Sequence, residues 1–215
     1  MTDELYEYQE YVPPDMGKDS SKTYPIVFAF HGYGRNEGAF SFLEALKEQF
    51  IVICVRGNHM QEDGYCYYQL HGYGNPVREQ FDEAIDRMPK FIGHMLKKSP
   101  ADPEKVYLTG FSQGATLSIS LALSVGKLIK GIGAMNGFIP PYVKEEYDLQ
   151  PVDHLSVFIT QGESDNVFPP HVGQANYEYL QARARSVKYT IYPEGHAVSK
   201  NMEQDLVSWL KFDAQ

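Results

Sequence analysis

The sequence predicts one α/β domain, a mostly parallel central sheet with helices on both faces and no large cap domain. Three observations lead there. Short apolar runs alternate with longer stretches of helical periodicity along all 215 residues. Several of those runs are apolar at every position, as strands are when helices cover both faces of a parallel sheet. No Ser/Gly-rich linker or shift in composition divides the chain, and its length suits a single core spanning residues 1–215.

Taken in order, the elements begin with residues 1–15. Tyr6, Tyr8 and Tyr11 alternate there before Pro13 and Pro14, which suits an antiparallel edge strand. Strands follow at 25–30 (PIVFAF), 50–55 (FIVICV), 105–111 (KVYLTGF), 130–137 (KGIGAMNG), 156–162 (SVFITQG) and 187–193 (VKYTIYP). Between them, helices are predicted over 39–49, 77–98, 112–125, 173–184 and 198–212. The second carries Val77, Phe81, Ile85, Met88, Phe91, Ile92 and Met95 at helical intervals, and Pro89 is expected to kink or break it. Right-handed crossovers then wind the sheet on both sides. The tetrapeptide HGYG occurs at 31–34 and 71–74 with different flanks, which is no internal repeat. Segment 56–76, rich in Tyr, Gly and His, is too long for an ordinary connection and reads as a functional loop.

Composition narrows the partners. A formal net charge of −9 disfavours nucleic acid and anionic membrane surfaces. No apolar run nears the ~20 residues that cross a bilayer, so no membrane insertion is expected. The acidic start, without a basic region and an apolar stretch, carries no signal peptide pattern. A cytoplasmic location is the expectation. Cys54 and Cys66 cannot form a disulfide framework, and Cys54 within FIVICV reads as a buried, inert thiol. His59, His71 and His171 match no zinc spacing, and no metal or other cofactor is expected.

The chemistry centres on TGFSQGATLSISLAL, 109–123. Ser112 stands between Gly110 and Gly114 where a strand pattern turns into a helix pattern. Only about 0.1 such G-x-S-x-G matches are expected by chance at this Ser and Gly content. At such a turn a strained backbone lifts the hydroxyl above the sheet, and side chains at the flanking positions would obstruct it. The hydroxyl needs a base to take its proton. Among seven histidines, His196 follows the last strand and so lies at the strand ends where ligands bind in α/β sheets. His94 falls in a helix and His154 precedes a strand. An acid must orient the base; Glu163 and Asp165, just after the strand at 156–162, both qualify. The backbone N–H groups of Gln113, after the serine, and of Tyr33, after the first long strand, are candidate oxyanion donors. His31 reads as structural, bonding the loop backbone beside them.

FHGYG, GFSQGA, GESDNVFP and GHAVS together resemble the carboxylesterase/acyl-protein thioesterase (phospholipase/carboxylesterase) family of α/β-hydrolases, from about Pro25 to Lys211. The resemblance implies that fold, with Ser112 as nucleophile, Asp165 as acid, His196 as base, and the Tyr33 and Gln113 amides as oxyanion hole. Members often carry leucine where this chain has Tyr33, and segment 64–76 departs from their usual pattern. The implied activity is serine-esterase cleavage of small to medium acyl esters or thioesters through an acyl-enzyme, with a small molecule as partner. A peptidase or amidase on the same fold is the alternative, as is a non-catalytic ligand-binding homologue. A monomer and a homodimer are both compatible with the chain.

The aromatic cluster Tyr65, Tyr67, Tyr68 and Tyr73, with Phe168 beyond the acid, is the expected substrate pocket; ordinary loop packing is the competing reading. With no room for a cap domain, the cleft is expected to be shallow and open, the loop forming a partial lid.

Overall fold

The computed structural model describes residues 6–62, 64–72 and 74–215. In chain order its strands are β1 (Tyr8–Tyr11), β2 (Tyr24–Phe30), β3 (Ile51–Val55), β4 (His59–Gln61), β5 (Gly64–Cys66), β6 (Leu70–Gly72), β7 (Asn75–Pro76), β8 (Ala101–Phe111), β9 (Gly131–Met135), β10 (Ser156–Gly162) and β11 (Ser186–Tyr192). Its helices are α1 (Arg78–Lys98), α2 (Gln113–Val125), α3 (Pro141–Glu146), α4 (Pro170–Gln181) and α5 (Lys200–Asp213). The main sheet runs β1-β3-β2-β8-β9-β10-β11. Its strands are parallel except β1, which pairs antiparallel with β3 in the register Tyr8↔Val55 to Tyr11↔Val52. The expected edge strand is therefore present.

Strand alternation explains the two layers. Ile26, Phe28 and Phe30 of β2 and Ile51, Ile53 and Val55 of β3 bury into one core with α1, α2 and Leu180 of α4. Val27, Ala29, Val52 and Cys54 bury on the other face, against Leu206 and Leu210 of α5 and against Phe40, Leu43 and Leu46. Successive side chains point to opposite faces, so a strand covered on both sides must be apolar throughout. Cys54 and Cys66 are unpaired and buried, and burial pushes their thiols up to about 12 and about 11.

Two local expectations need correction. The helix expected at 39–49 is instead a 3₁₀ stretch, Glu37–Leu46, bent at Phe40 and capped by the Asn36 side chain accepting from the Gly38 amide. Its buried residues, Phe40, Leu43 and Leu46, are three apart, which matches three residues per turn rather than 3.6. Helix α1 runs uninterrupted through Pro89. Phe81, Ile85, Met88, Phe91, Ile92 and Met95 are all buried along it. Their combined burial, at roughly 1.5–3 kcal/mol each, outweighs a proline cost of about 3 kcal/mol.

The described residues of segment 56–76 form more regular structure than its composition suggests. They fold into two small antiparallel pairs, β4 with β5 and β6 with β7. Tyr65 also bridges to Arg35, which straps the first pair to the loop after β2.

Candidate active site

Every group of interest stands beyond the carboxyl end of a parallel strand. Ser112 links β8 to α2 with φ 54° and ψ −113°, a conformation that disfavours any side chain but is held here from both sides. Its N–H donates to the Met135 carbonyl (2.9 Å) and its carbonyl accepts from the Thr116 N–H (3.0 Å). The flanking glycines are required by contact. A Cβ on Gly110 would stand 2.2 Å from the Gly114 carbonyl carbon, and one on Gly114 would stand 1.9 Å from the Phe30 oxygen. The turn thus packs backbone to backbone against β2, leaving the serine side chain at the end of the sheet.

His196, after β11, meets Ser112 through Nε2···Oγ at 2.8 Å and Asp165 through Nδ1···Oδ2 at 2.8 Å. The rings of Phe111 and Phe168 lie 4.9 and 5.5 Å from the imidazole, centroid to centroid. Asp165, after β10, is 3% exposed. Its Oδ1 accepts from the Val167 and Phe168 amides, both at 2.8 Å, and its Oδ2 accepts from Asn136 Nδ2 at 2.9 Å as well as facing His196. Burial alone would raise this carboxyl, but the hydrogen bonds from His196, Phe168 and Asn136 outweigh it and hold the group below its usual range. It is a carboxylate at neutral pH. Glu163 ties into the backbone through its N–H to the Tyr192 carbonyl, and among the described residues its side chain makes no hydrogen bond or ion pair with His196.

These groups open into a cavity of about 840 Å³. Tyr33 and Gln113 both line it, and neither amide hydrogen-bonds to an acceptor among the described residues. Gln113 also begins α2, where unpaired N–H groups and the helix dipole favour developing negative charge. The loop carrying Tyr33 is set by His31, which is 1% exposed. Its Nδ1 donates to the Gly32 carbonyl at 2.8 Å and its Nε2 accepts from the Gly57 amide at 3.0 Å. That pattern fits only the neutral ring, and burial lowers its pKa to about 4.

The aromatic cluster divides. Tyr68 and Phe168 line the cavity; Tyr65 and Tyr67 do not. Tyr67 is buried under the loop, its hydroxyl donating to the Val55 carbonyl (2.7 Å) and accepting from the His31 N–H (3.1 Å). Tyr65 packs under the Arg56 guanidinium, 4.6 Å from the ring centroid. For these two, a pocket role gives way to scaffolding: the buried Tyr67 hydroxyl must find a partner and Val55 supplies one, while Tyr65 is held by Arg56. Tyr73 lies outside the described residues. The scaffold reaches the nucleophile turn through Gln113, whose Oε1 accepts from the Tyr67 amide (2.8 Å) and whose Nε2 donates to the Tyr68 carbonyl (2.7 Å).

Two features escaped the sequence reading. Phe138, after β9, lines the cavity and packs against Phe168 in a tilted pair with centroids 5.0 Å apart. Asn136 touches the acid; its signal was an Asn-Gly pair directly after a strand, a pattern that tolerates positive φ. Among the described residues, no three His, Cys, Asp or Glu side chains converge as metal ligands, and no helix is long and apolar enough to cross a membrane.

Comparison with known proteins agrees with this architecture. The phospholipase/carboxylesterase family model matches residues 16–213. A protein of Oryza sativa subsp. japonica named "Probable carboxylesterase" is 26% identical over 224 residues, covering 93% of this chain and 82% of its own. Acyl-protein thioesterase 1 of Candida albicans is 26% identical over 215 residues, covering 90% of this chain and 92% of its own. The crystal structure of a Bacillus cereus carboxylesterase superposes with a TM-score of 0.84 at 20% identity, over 99% of this chain and 96% of that one. The chain belongs to the phospholipase/carboxylesterase family of α/β-hydrolases.

Proposed function

Starting from that family, we propose that the chain is a serine hydrolase that cleaves esters or thioesters of small to medium acyl groups through an acyl-enzyme. The observation that carries the reading is the unbroken hydrogen-bond chain Ser112 Oγ, His196 Nε2, His196 Nδ1, Asp165 Oδ2, with both links at 2.8 Å. In this reading His196 takes the Ser112 proton as Oγ attacks the acyl carbon. Asp165 fixes the Nδ1–H tautomer and stabilises the imidazolium that forms. The amides of Tyr33 and Gln113 receive the oxyanion, each worth roughly 3–4 kcal/mol in the transition state. His196 then protonates the departing alcohol or thiol, and water repeats the cycle on the acyl-serine. None of these steps calls for a cofactor.

In this proposal the acyl group lies in the cavity. Leu70, Phe138, Val167 and Phe168 give it an apolar wall, and Arg35, Gln61 and Glu62 a polar one. Two unpaired, buried cysteines accord with a cytoplasmic setting, which belongs to the same proposal. The test is a panel of p-nitrophenyl esters, acyl thioesters and peptide amides, run beside fluorophosphonate labelling. Stoichiometric labelling of Ser112 with ester or thioester turnover is the expected result. Exclusive amide cleavage, or no labelling, would overturn it.

A further inference from the structure

Asn136 is fully buried just beyond β9 and holds φ at 52°, a region that costs a residue with a side chain energy to occupy. Its backbone N–H is fixed by the Thr160 carbonyl at 3.0 Å. From that position Nδ2 donates to Asp165 Oδ2 (2.9 Å) and to the carbonyl of Gly195 (3.3 Å), the residue before His196. Its Oδ1 accepts from no group among the described residues. The orientation is fixed by charge, since the amide oxygen turned the other way would face a carboxylate.

Resting on the triad reading above, we propose that Asn136 is a positioning residue for the reaction: its side-chain amide locks the Asp165 oxygen that faces His196 and draws charge from it, while tethering the loop that carries the base. Asp165 Oδ2 is shared between Asn136 Nδ2 and His196 Nδ1, so the two donors compete for one oxygen. Without Asn136 the oxygen is more basic toward the imidazolium, and His196 keeps its proton to higher pH. The groups around the pair are few. Ser112 meets Nε2, Phe111 and Phe168 cover the ring, and the Val167 and Phe168 amides hold the other carboxylate oxygen. Arg35 and Glu62 are the charged residues that line the same cavity, and neither pairs with His196 or Asp165.

Two variants separate positioning from packing. Asn136→Gly removes the donor and accepts the positive φ without strain. Asn136→Ala also removes the donor but keeps a Cβ at the positive φ, so it pairs the same lost hydrogen bond with a strained backbone. The readouts are the pH profile of kcat/KM for a p-nitrophenyl ester and the His196 ring titration followed by NMR. For Asn136→Gly, the acid limb and the ring titration should both move to higher pH, with kcat lower by about tenfold and KM little changed. Asn136→Ala should shift both to the same extent, at a lower Tm. A titration that does not move in either variant, or activity that falls only in step with a lower Tm, would overturn the inference. The NMR arm needs no turnover, so a missing shift refutes the Asn136 role even in an active enzyme. A shift in a protein that Ser112 labelling shows inactive would uphold the coupling and refute the hydrolase reading instead.

Discussion

Lowering the pH from 7 to 4 should destabilise this protein through His31 in particular. The ring is 1% exposed, donates from Nδ1 to Gly32 and accepts at Nε2 from Gly57, so protonation would both bury a charge and abolish an acceptor. Burial lowers its pKa from 6.5 to about 4, with the Gly32 carbonyl opposing in part. The sign follows from proton counting. Between about pH 6.5 and 4 the unfolded chain carries a proton on this ring that the folded chain excludes, so stability falls as pH falls through that window. A difference of about 2.5 units at 1.36 kcal/mol each gives about 3 kcal/mol. For a chain of this length that is about 6–12 °C in Tm. His31→Gln retains a donor and an acceptor but cannot titrate. Calorimetry of both proteins at pH 7 and pH 4 isolates the effect, because carboxylates such as Asp165 titrate equally in each. The drop in Tm should be about 6–12 °C larger in the parent than in His31→Gln. Equal drops would show that His31 is not excluded from protonation and that the loop after β2 is not held as described.

Ser112→Ala should leave the melting temperature almost unchanged and lower ester turnover by several orders of magnitude; more than a few per cent residual activity would contradict the nucleophile. Asp165→Asn should lower kcat by up to about 10⁴-fold, whereas Glu163→Gln should cost little, and the reverse ranking would reassign the acid. Gly114→Ala should abolish both soluble expression and Ser112 labelling, since its Cβ would stand 1.9 Å from the Phe30 oxygen; wild-type labelling would show that the turn can widen. Phe138→Ala should flatten the dependence of kcat/KM on acyl length, read with acetyl to octanoyl p-nitrophenyl esters, by removing part of the apolar wall at about 0.8 kcal/mol per CH₂ no longer buried.

The parallel strands themselves were legible because burial on both faces leaves a plain mark, runs such as IVICV in which no position is polar. The candidate triad was legible for a different reason. Each of its members follows a strand directly, so the strand pattern alone brings Ser112, Asp165 and His196 to one edge. What the sequence withheld depends on contacts between segments remote from each other. Nothing local distinguishes a tyrosine that lines a cavity from one whose hydroxyl reaches Val55 twelve residues away. The resemblance already pointed to Asp165 over Glu163, but its physical reason, two backbone amides directed at one carboxylate, lies in the folded loop. Pro89 misled because a local rule was applied to a helix whose buried face decides its course.

The fate of the tyrosines relocates specificity. Tyr67 bonds to His31, His31 bonds to Gly32, and Gln113 bonds to the backbone of Tyr67 and Tyr68. Segment 56–76 therefore connects the two residues whose amides are the proposed oxyanion donors, Tyr33 on one side and Gln113 on the other. A segment under that constraint is poorly placed to vary with substrate, because a change that reshaped it would also move the donors. The opposite wall is freer at Phe138 and Val167, although Phe168 also packs against the His196 ring. Phe138 follows β9, and Val167 and Phe168 follow β10; of these three side chains none hydrogen-bonds, and all face the cavity lining. Their rings and methyl groups can change size while Asp165 is still held by the backbone amides of Val167 and Phe168, which any residue but proline supplies. Substitutions at Tyr67 should thus depress kcat for every ester alike, and substitutions at Phe138 should reorder the esters. A Tyr67→Phe variant tests the first half: it loses the bonds to Val55 and His31 yet keeps the ring. A change in acyl preference at undiminished kcat would make Tyr67 a determinant of specificity and refute this division of labour.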